Sequence, residues 1–271
     1  MSDYQGFKEV TLSNDEMADF YSGDLSDNRF ECLINEYLII NDSDGKAVDY
    51  YRWDGKVLQR VTSKQINNVW LGKVKPRNPQ QVLAIDMLTS MDITVKVLSG
   101  KAGSGKSMLM INAAMDMVKN GKFDKIVYVR NNIEVKDTKQ LGALPGDAYE
   151  KLQPFYSGLT DHVGDILMFR NVFEFIHLGY MRGRDIKNSI VMVNEAENLT
   201  CAHVGMLVSR IAQGSQLWLD GDYKQVDLKV FENNNGLLES VNRLKGNPLF
   251  GHVKLLQSER SATASLADYF D

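Results

Sequence analysis

Cysteine is scarce: the 271 residues contain two, Cys32 and Cys201. That excludes a disulfide framework and fits a reducing compartment, the cytoplasm. Long apolar runs are missing. None approaches the ~20 residues needed to cross a bilayer, and Met1 to Gly6 has no apolar centre. Neither a membrane span nor a signal peptide is expected. Histidine is scarce too. His162, His177, His203 and His252 show no ligand spacing and read as surface or packing residues, not a metal centre. A strong charge of one sign is also absent. The net charge of −4 excludes polyanion binding by bulk electrostatics. The imbalance lies at the front, where residues 1–75 carry 9 basic and 13 acidic side chains against 22 of each in the remainder.

What is present suits a core of ordinary size. At 44% hydrophobic and 24% charged residues, the chain can build one large domain, or one domain with a small appendage. The first 75 residues read as a small antiparallel β-rich unit. Phe7 to Leu12 alternates as a strand, and Ser13 can cap a short helix over Asp15 to Tyr21. Glu36 to Asn41, Ala47 to Trp53 and Lys56 to Val61 read as strands, with Asp44-Gly45 and Asp54-Gly55 as tight turns between them. Two prolines in Lys73-Val74-Lys75-Pro76-Arg77-Asn78-Pro79 mark a boundary, giving units 1–75 and 76–271.

Beyond the boundary, helix and strand patterns alternate. Gln81 to Leu88 reads as an amphipathic helix, Ile93 to Ser99 as a strand, and Lys106 to Asn120 as a helix stopped by Gly121. Ile126 to Val129, Ile190 to Val193, Leu217 to Leu219 and Val253 to Leu256 are short apolar runs. Runs of this kind suit strands buried on both faces of a parallel sheet. The pattern predicts an α/β sandwich.

Between the first of these strands and its helix lies Gly100-Lys101-Ala102-Gly103-Ser104-Gly105-Lys106-Ser107, which fits the P-loop pattern G-x-x-x-x-G-K-[ST]. Its glycines let backbone N–H groups curl around phosphate oxygens without a Cβ in the way. The helix adds its positive N-terminal end. Lys106 is expected to reach the β and γ phosphates of ATP or a close relative, and Ser107 to ligate Mg²⁺.

A P-loop needs acidic help from a neighbouring strand. Ile190 to Val193 runs into Asn194-Glu195-Ala196-Glu197-Asn198. Glu195 is placed to polarise an attacking water. Asn194 stands at the magnesium side, able to accept a hydrogen bond from a metal-bound water but without charge. The competing reading is a strand end followed by a helix N-cap. Leu217 to Asp220 runs into Gly221-Asp222-Tyr223-Lys224-Gln225-Val226-Asp227, where a polar amide can sense a γ-phosphate; a plain Gly-Asp turn is the alternative.

With these residues in place, the chain resembles the PhoH-like family of P-loop ATPases, related to the first ATPase lobe of superfamily 1 helicases. The resemblance spans Gln80 to the C-terminus. It is carried by Leu141 to Asp147, Glu150-Lys151, Tyr180-Met181-Arg182-Gly183-Arg184, Asn194 to Asn198, Gly221 to Asp227 and Glu259-Arg260-Ser261. It implies a RecA-like three-layer sandwich. It also implies roles for further residues. Gln81 looks like the glutamine that reads the adenine edge, and Gln225 like the γ-phosphate sensor. Arg260 looks like a phosphate-contacting arginine or a finger offered to a neighbouring subunit, against a surface ion pair with Glu259 or Glu239. Arg182 and Arg184 stand for γ-phosphate, subunit or nucleic-acid contacts, or for a solvated turn. Asn35 to Leu38 and Arg52 to Gly55 resemble the stretch that precedes the ATPase in relatives with an upstream PIN nuclease. Residues 1–75 are too few for that nuclease, so no ribonuclease activity is carried over.

Three departures from the family pattern stand out. Asn194-Glu195-Ala196-Glu197 replaces Asp-Glu-Ala-Gln, Asn131 follows Arg130 where Pro is usual, and Asp220 replaces a small hydroxyl residue. The helicase resemblance implies RNA or single-stranded DNA as the polymer. Tyr51-Arg52-Trp53 and Tyr180-Met181-Arg182 could stack bases, although core or hairpin packing is the commoner role of such aromatics. Only one ATPase lobe fits in the chain, so a homo-oligomer, a hexamer as in relatives, is expected to supply the missing arginine. Asn194 keeps a second reading open, a nucleotide-binding regulatory or structural protein with weak hydrolysis. A small-molecule phosphotransferase finds no arginine-rich lid to support it.

Overall fold

The computed structural model describes residues 4–130, 158–226 and 229–259. The first unit holds β1 (Phe7–Thr11), α1 (Asn14–Ser22), β2 (Tyr37–Asn41), β3 (Ala47–Trp53) and β4 (Leu58–Arg60), and a hairpin of β5 (Ile66–Asn68) and β6 (Gly72–Val74) follows. Ser13 caps α1, as expected, and does so in a reciprocal box with Glu16. β2, β3 and β4 are antiparallel, joined by the two Asp-Gly turns. β1 differs: it lies parallel to β2, with Phe7 opposite Tyr37. The chain between them carries α1, which gives the long connection that a parallel pair requires.

The second unit holds α2 (Pro79–Thr89), β7 (Val95–Gly100), α3 (Lys106–Lys119), β8 (Lys125–Arg130), β9 (Phe173–His177), β10 (Ser189–Val193), α4 (Cys201–Val208), β11 (Gln216–Gly221), α5 (Lys229–Asn233), α6 (Gly236–Leu244) and β12 (Phe250–Leu255). Six of these strands form one all-parallel sheet in the order β12-β7-β11-β10-β8-β9. Successive side chains point to opposite faces. Leu98, Ile126, Met192 and Trp218 therefore join α2 and α3 in one apolar cluster. Val97, Val127, Val191 and Leu217 join α4 and α6 in another. This is the expected three-layer α/β sandwich, and burial on both faces explains why its strands read as plain apolar runs.

Helix α2 departs from the amphipathic expectation, because eight of its eleven residues are buried. Its outer side is covered by the small sheet: Tyr37 O–H donates to Asp86 at 3.1 Å and Gln80 donates to Glu9 at 3.3 Å. Phe7, Tyr37, Ile39 and Val61 share one apolar cluster with α2 and α3. The two sheets are also joined at the backbone. Lys254 N–H donates to the Gln5 carbonyl at 2.9 Å, and Tyr37 N–H donates to that of Gly6 at 3.0 Å. Among the described residues, no helix is long and apolar enough to cross a membrane.

Candidate functional site

The Gly100–Ser107 loop leaves the C-terminal end of β7 and enters α3. Three of its glycines have positive φ: 144° at Gly100, 76° at Gly103 and 92° at Gly105. A Cβ at Gly100 would collide with the Leu255 carbonyl of β12, so only glycine lets the loop turn this close to the neighbouring strand. No side chain caps α3 and no acid stands in its first turn, which leaves its positive end available to an anion. Lys106 lies over the loop, its Nζ donating to the carbonyls of Gly100 at 2.6 Å and Lys101 at 3.0 Å. Ser104 is fully buried and its Oγ has no hydrogen-bond partner among the described residues. Uncapped N–H groups, an ammonium and an unused hydroxyl are donors, and they suit phosphate oxygens.

Facing the loop are acids from two strand ends. Ser107 Oγ donates to Asp220 Oδ2 at 2.7 Å. Asp220 belongs to β11, which lies directly beside β7, and is paired in register with Leu98. Burial pushes its carboxyl up to about 6, while the Ser107 hydroxyl and the Lys106 charge pull the other way. Glu197, just beyond β10, is also buried, and its Oε2 accepts from Asp222 N–H at 3.2 Å. It occupies the space that a Cβ on Gly221 would fill. Burial first, then Asp220 and Glu195, push the Glu197 carboxyl up to about 8. Glu195 sits at φ 56°, a left-handed conformation costly for a non-glycine residue, and its side chain is at the surface.

These groups line a cleft of about 440 Å³ that includes Lys106, Ser107, Asn194, Glu195, Asp220 and Gln225. Pockets of ~300–1,000 Å³ hold small ligands and cofactors. The donor set fits a nucleotide with its divalent ion: loop N–H groups and Lys106 for phosphate, Ser107 and a strand-end carboxylate for Mg²⁺. Among the described residues, no group of three or more His, Cys, Asp or Glu could hold a metal alone.

The predicted site residues divide. Ala102, Gly103, Gly105, Lys106 and Ser107, with Asn194, Glu195 and Gln225, line the cleft, whereas Gly100, Lys101 and Ser104 do not. Gln225 is exposed, its N–H donating to the Asp222 carbonyl at 2.8 Å. Asn194 is engaged at both ends of its amide, donating to the Tyr128 hydroxyl at 3.1 Å and accepting from Glu195 N–H at 2.8 Å. Gln81 lies against the glycine loop. It is 1% exposed, and its amide joins Arg77 N–H at 3.0 Å to the Ser104 carbonyl at 3.2 Å. Arg260, Asn131, Asp227 and the stretch from Leu141 to Lys151 lie outside the described residues. Glu259, next to Arg260, donates its N–H to the Gly103 carbonyl at 2.9 Å and accepts from Asn78 at 2.8 Å. Glu239 pairs with Arg243. Arg184 pairs with Glu174 at 2.8 Å, whereas Arg182 borders a second cleft with His177 and His203. Tyr51 and Trp53 are core residues of the small sheet, and Tyr180 is 77% exposed.

Sequence reading missed Asp220 as the partner of Ser107. Its place at the C-terminal end of an apolar run is visible in the sequence, but its nearness to the loop depends on the strand order.

The family description "PhoH-like protein" matches residues 73–265. Protein PhoH2 of Bacillus subtilis (strain 168) is 33% identical over 287 aligned positions, covering 97% of this chain and 63% of that protein. The PhoH-like protein of the same organism is 34% identical over 168 positions, covering 59% of this chain and 52% of the relative. The chain thus spans between half and two thirds of the length of these relatives. Among solved structures, the Sulfolobus solfataricus SWI2/SNF2 ATPase core in complex with dsDNA matches at a TM-score of 0.39 and 12% identity, covering 72% of this chain and 47% of that one. That likeness is too low to bear on function.

Proposed function

Because the chain belongs to the PhoH-like protein family, we propose that it is an Mg²⁺-dependent ATPase acting on RNA or single-stranded DNA. The observation that carries this reading is the glycine loop at the open end of α3, with Lys106 over it and Ser107 hydrogen-bonded to a buried strand-end carboxylate. Lys106 neutralises the β and γ phosphates, and the loop N–H groups hold them in line. Bound Mg²⁺ supplies charge neutralisation across the phosphate oxygens. Glu195, at the surface of the cleft, orients and polarises the attacking water, and Gln225 contacts the γ-phosphate. Arg260 contributes charge to the transferred group from its own subunit or to a neighbour's site, which makes a homo-oligomer part of the proposal. The exposed Tyr180 beside Arg182 is the best-placed aromatic for stacking a base.

A second reading, nucleotide binding with weak hydrolysis, is favoured by one observation. Asn194, at the position of the usual family acid, is uncharged and held by Tyr128 and its own neighbour.

Hydrolysis measured with Mg²⁺, with and without single-stranded RNA and DNA, separates the two. The ATPase reading predicts turnover that rises with one polymer and vanishes in Lys106→Ala. Tight nucleotide binding without turnover under any condition leaves the second reading.

A further inference from the structure

We infer that Asp220 supplies the carboxylate that holds the divalent cation of the bound nucleotide, a charge that the strand-end residue at position 194 does not carry. The inference rests on the nucleotide reading above and names which strand provides the charge.

In a P-loop site, the loop serine meets the cation through its hydroxyl, and an acid on a neighbouring strand completes the site. In this chain the hydroxyl already has its acid, since Ser107 Oγ donates to Asp220 Oδ2 at 2.7 Å. The strand order explains the contact. β11 lies directly against β7, and β10, which ends before Asn194, is one strand further out. Asp220 is level with Leu98, two residues before Gly100, so its side chain emerges beside the loop. Asn194 is turned to other work: its amide donates to Tyr128 and its carbonyl accepts from Glu195 N–H. Position 194 carries no charge, and the carboxylate bonded to Ser107 stands on β11, one strand closer to the loop than β10.

Burial gives a second argument. Asp220 is 1% exposed and Glu197 is 8% exposed, and both border the same cleft. Buried carboxylates facing one cleft are costly unless a cation or protons stand among them. Of the two, Asp220 is the one bonded to Ser107.

The test measures affinity for a fluorescent ADP analogue with and without Mg²⁺, and Mn²⁺ affinity of the nucleotide complex by electron paramagnetic resonance. The proteins are the wild type, Asp220→Asn, Lys106→Ala and the double variant Asn194→Asp/Asp220→Ser. Asp220→Asn keeps the shape and removes the charge. It is expected to lower Mn²⁺ affinity by ~10-fold or more, the usual scale for loss of a supporting metal contact. Its Mg²⁺-free nucleotide affinity is expected to stay level or rise, because a buried negative charge near the phosphates is gone. The double variant, which returns a carboxylate to the end of β10, is expected to recover Mn²⁺ affinity. A merely structural role for Asp220 would weaken binding in both conditions, and that result overturns the inference. Unchanged Mn²⁺ affinity in Asp220→Asn, with nucleotide still bound, also overturns it and leaves the nucleotide reading standing. A wild type that binds no nucleotide, or binds it equally well as Lys106→Ala, overturns both.

Discussion

Gln81 joins the entry of α2 to the glycine loop: its Nε2 donates to the Ser104 carbonyl at 3.2 Å, and its Oε1 accepts from Arg77 N–H at 3.0 Å. Both bonds are to backbone and the side chain is buried. Removing the amide leaves the buried Ser104 carbonyl without this partner, at a cost of ~1–3 kcal/mol, while the N–H of the exposed Arg77 can turn to water. Gln81→Ala is therefore expected to lower the urea midpoint of unfolding. Its ATP-to-GTP preference, measured by competition, is expected to match the wild type. A collapse of that preference with unchanged stability would instead return Gln81 to the adenine edge.

Glu197 makes stability depend on pH. Its carboxyl is raised to about 8, chiefly by burial. The folded chain keeps a proton that the unfolded chain releases near the ordinary glutamate value of ~4.3. This contribution is full below that value and is lost as pH rises through about 8. Glu197→Gln retains the shape and an acceptor for Asp222 N–H without the ionisation. Thermal scans are expected to show the variant gaining on the wild type between pH 5 and pH 8. Parallel curves would remove Glu197 as the source.

Glycines at close approaches should be the least replaceable. A Cβ at Gly6 would strike the His252 carbonyl, and one at Gly100 would strike that of Leu255. Gly45 also has positive φ, 77°, with open space around it. Gly45→Ala is expected to cost only the left-handed strain, ~1–2 kcal/mol. Gly6→Ala and Gly100→Ala add a backbone collision, so chemical denaturation should rank both well below Gly45→Ala. Equal costs at the three positions would contradict the packing described.

In the proposed function, Glu195 acts on the water and not on the nucleotide. Glu195→Gln is expected to lower kcat by ~10²–10⁴-fold, the scale of general-base loss, while nucleotide affinity stays near the wild type. Steady-state kinetics paired with equilibrium binding check the split. A matching loss of affinity would move Glu195 into the binding set.

Much of this was legible in the chain. β7, β8, β10, β11 and β12 were visible as apolar runs because both faces are covered. β9 was not: Phe173–His177 mixes Glu and His with its apolar residues and, among the described residues, lies at the sheet edge, where one side faces no strand. The parallel pairing of β1 with β2 was hidden because a strand's own residues do not encode its partner's direction. The burial of α2 depends on the small sheet laid over it, a contact between distant segments. The Ser107–Asp220 bond was hidden for the same reason. Motif spacing points to β10, and only the strand order puts β11 next to the loop.

The central claim is that the Gly100–Ser107 loop binds nucleoside triphosphate phosphates through Lys106. Calorimetric titration of ATP with Mg²⁺ into the full 271-residue chain and into its Lys106→Ala variant tests it most directly. Saturable binding at one site per chain, abolished in the variant while thermal stability is kept, is the predicted result. No binding by the wild type, or equal affinity in both proteins, would contradict it.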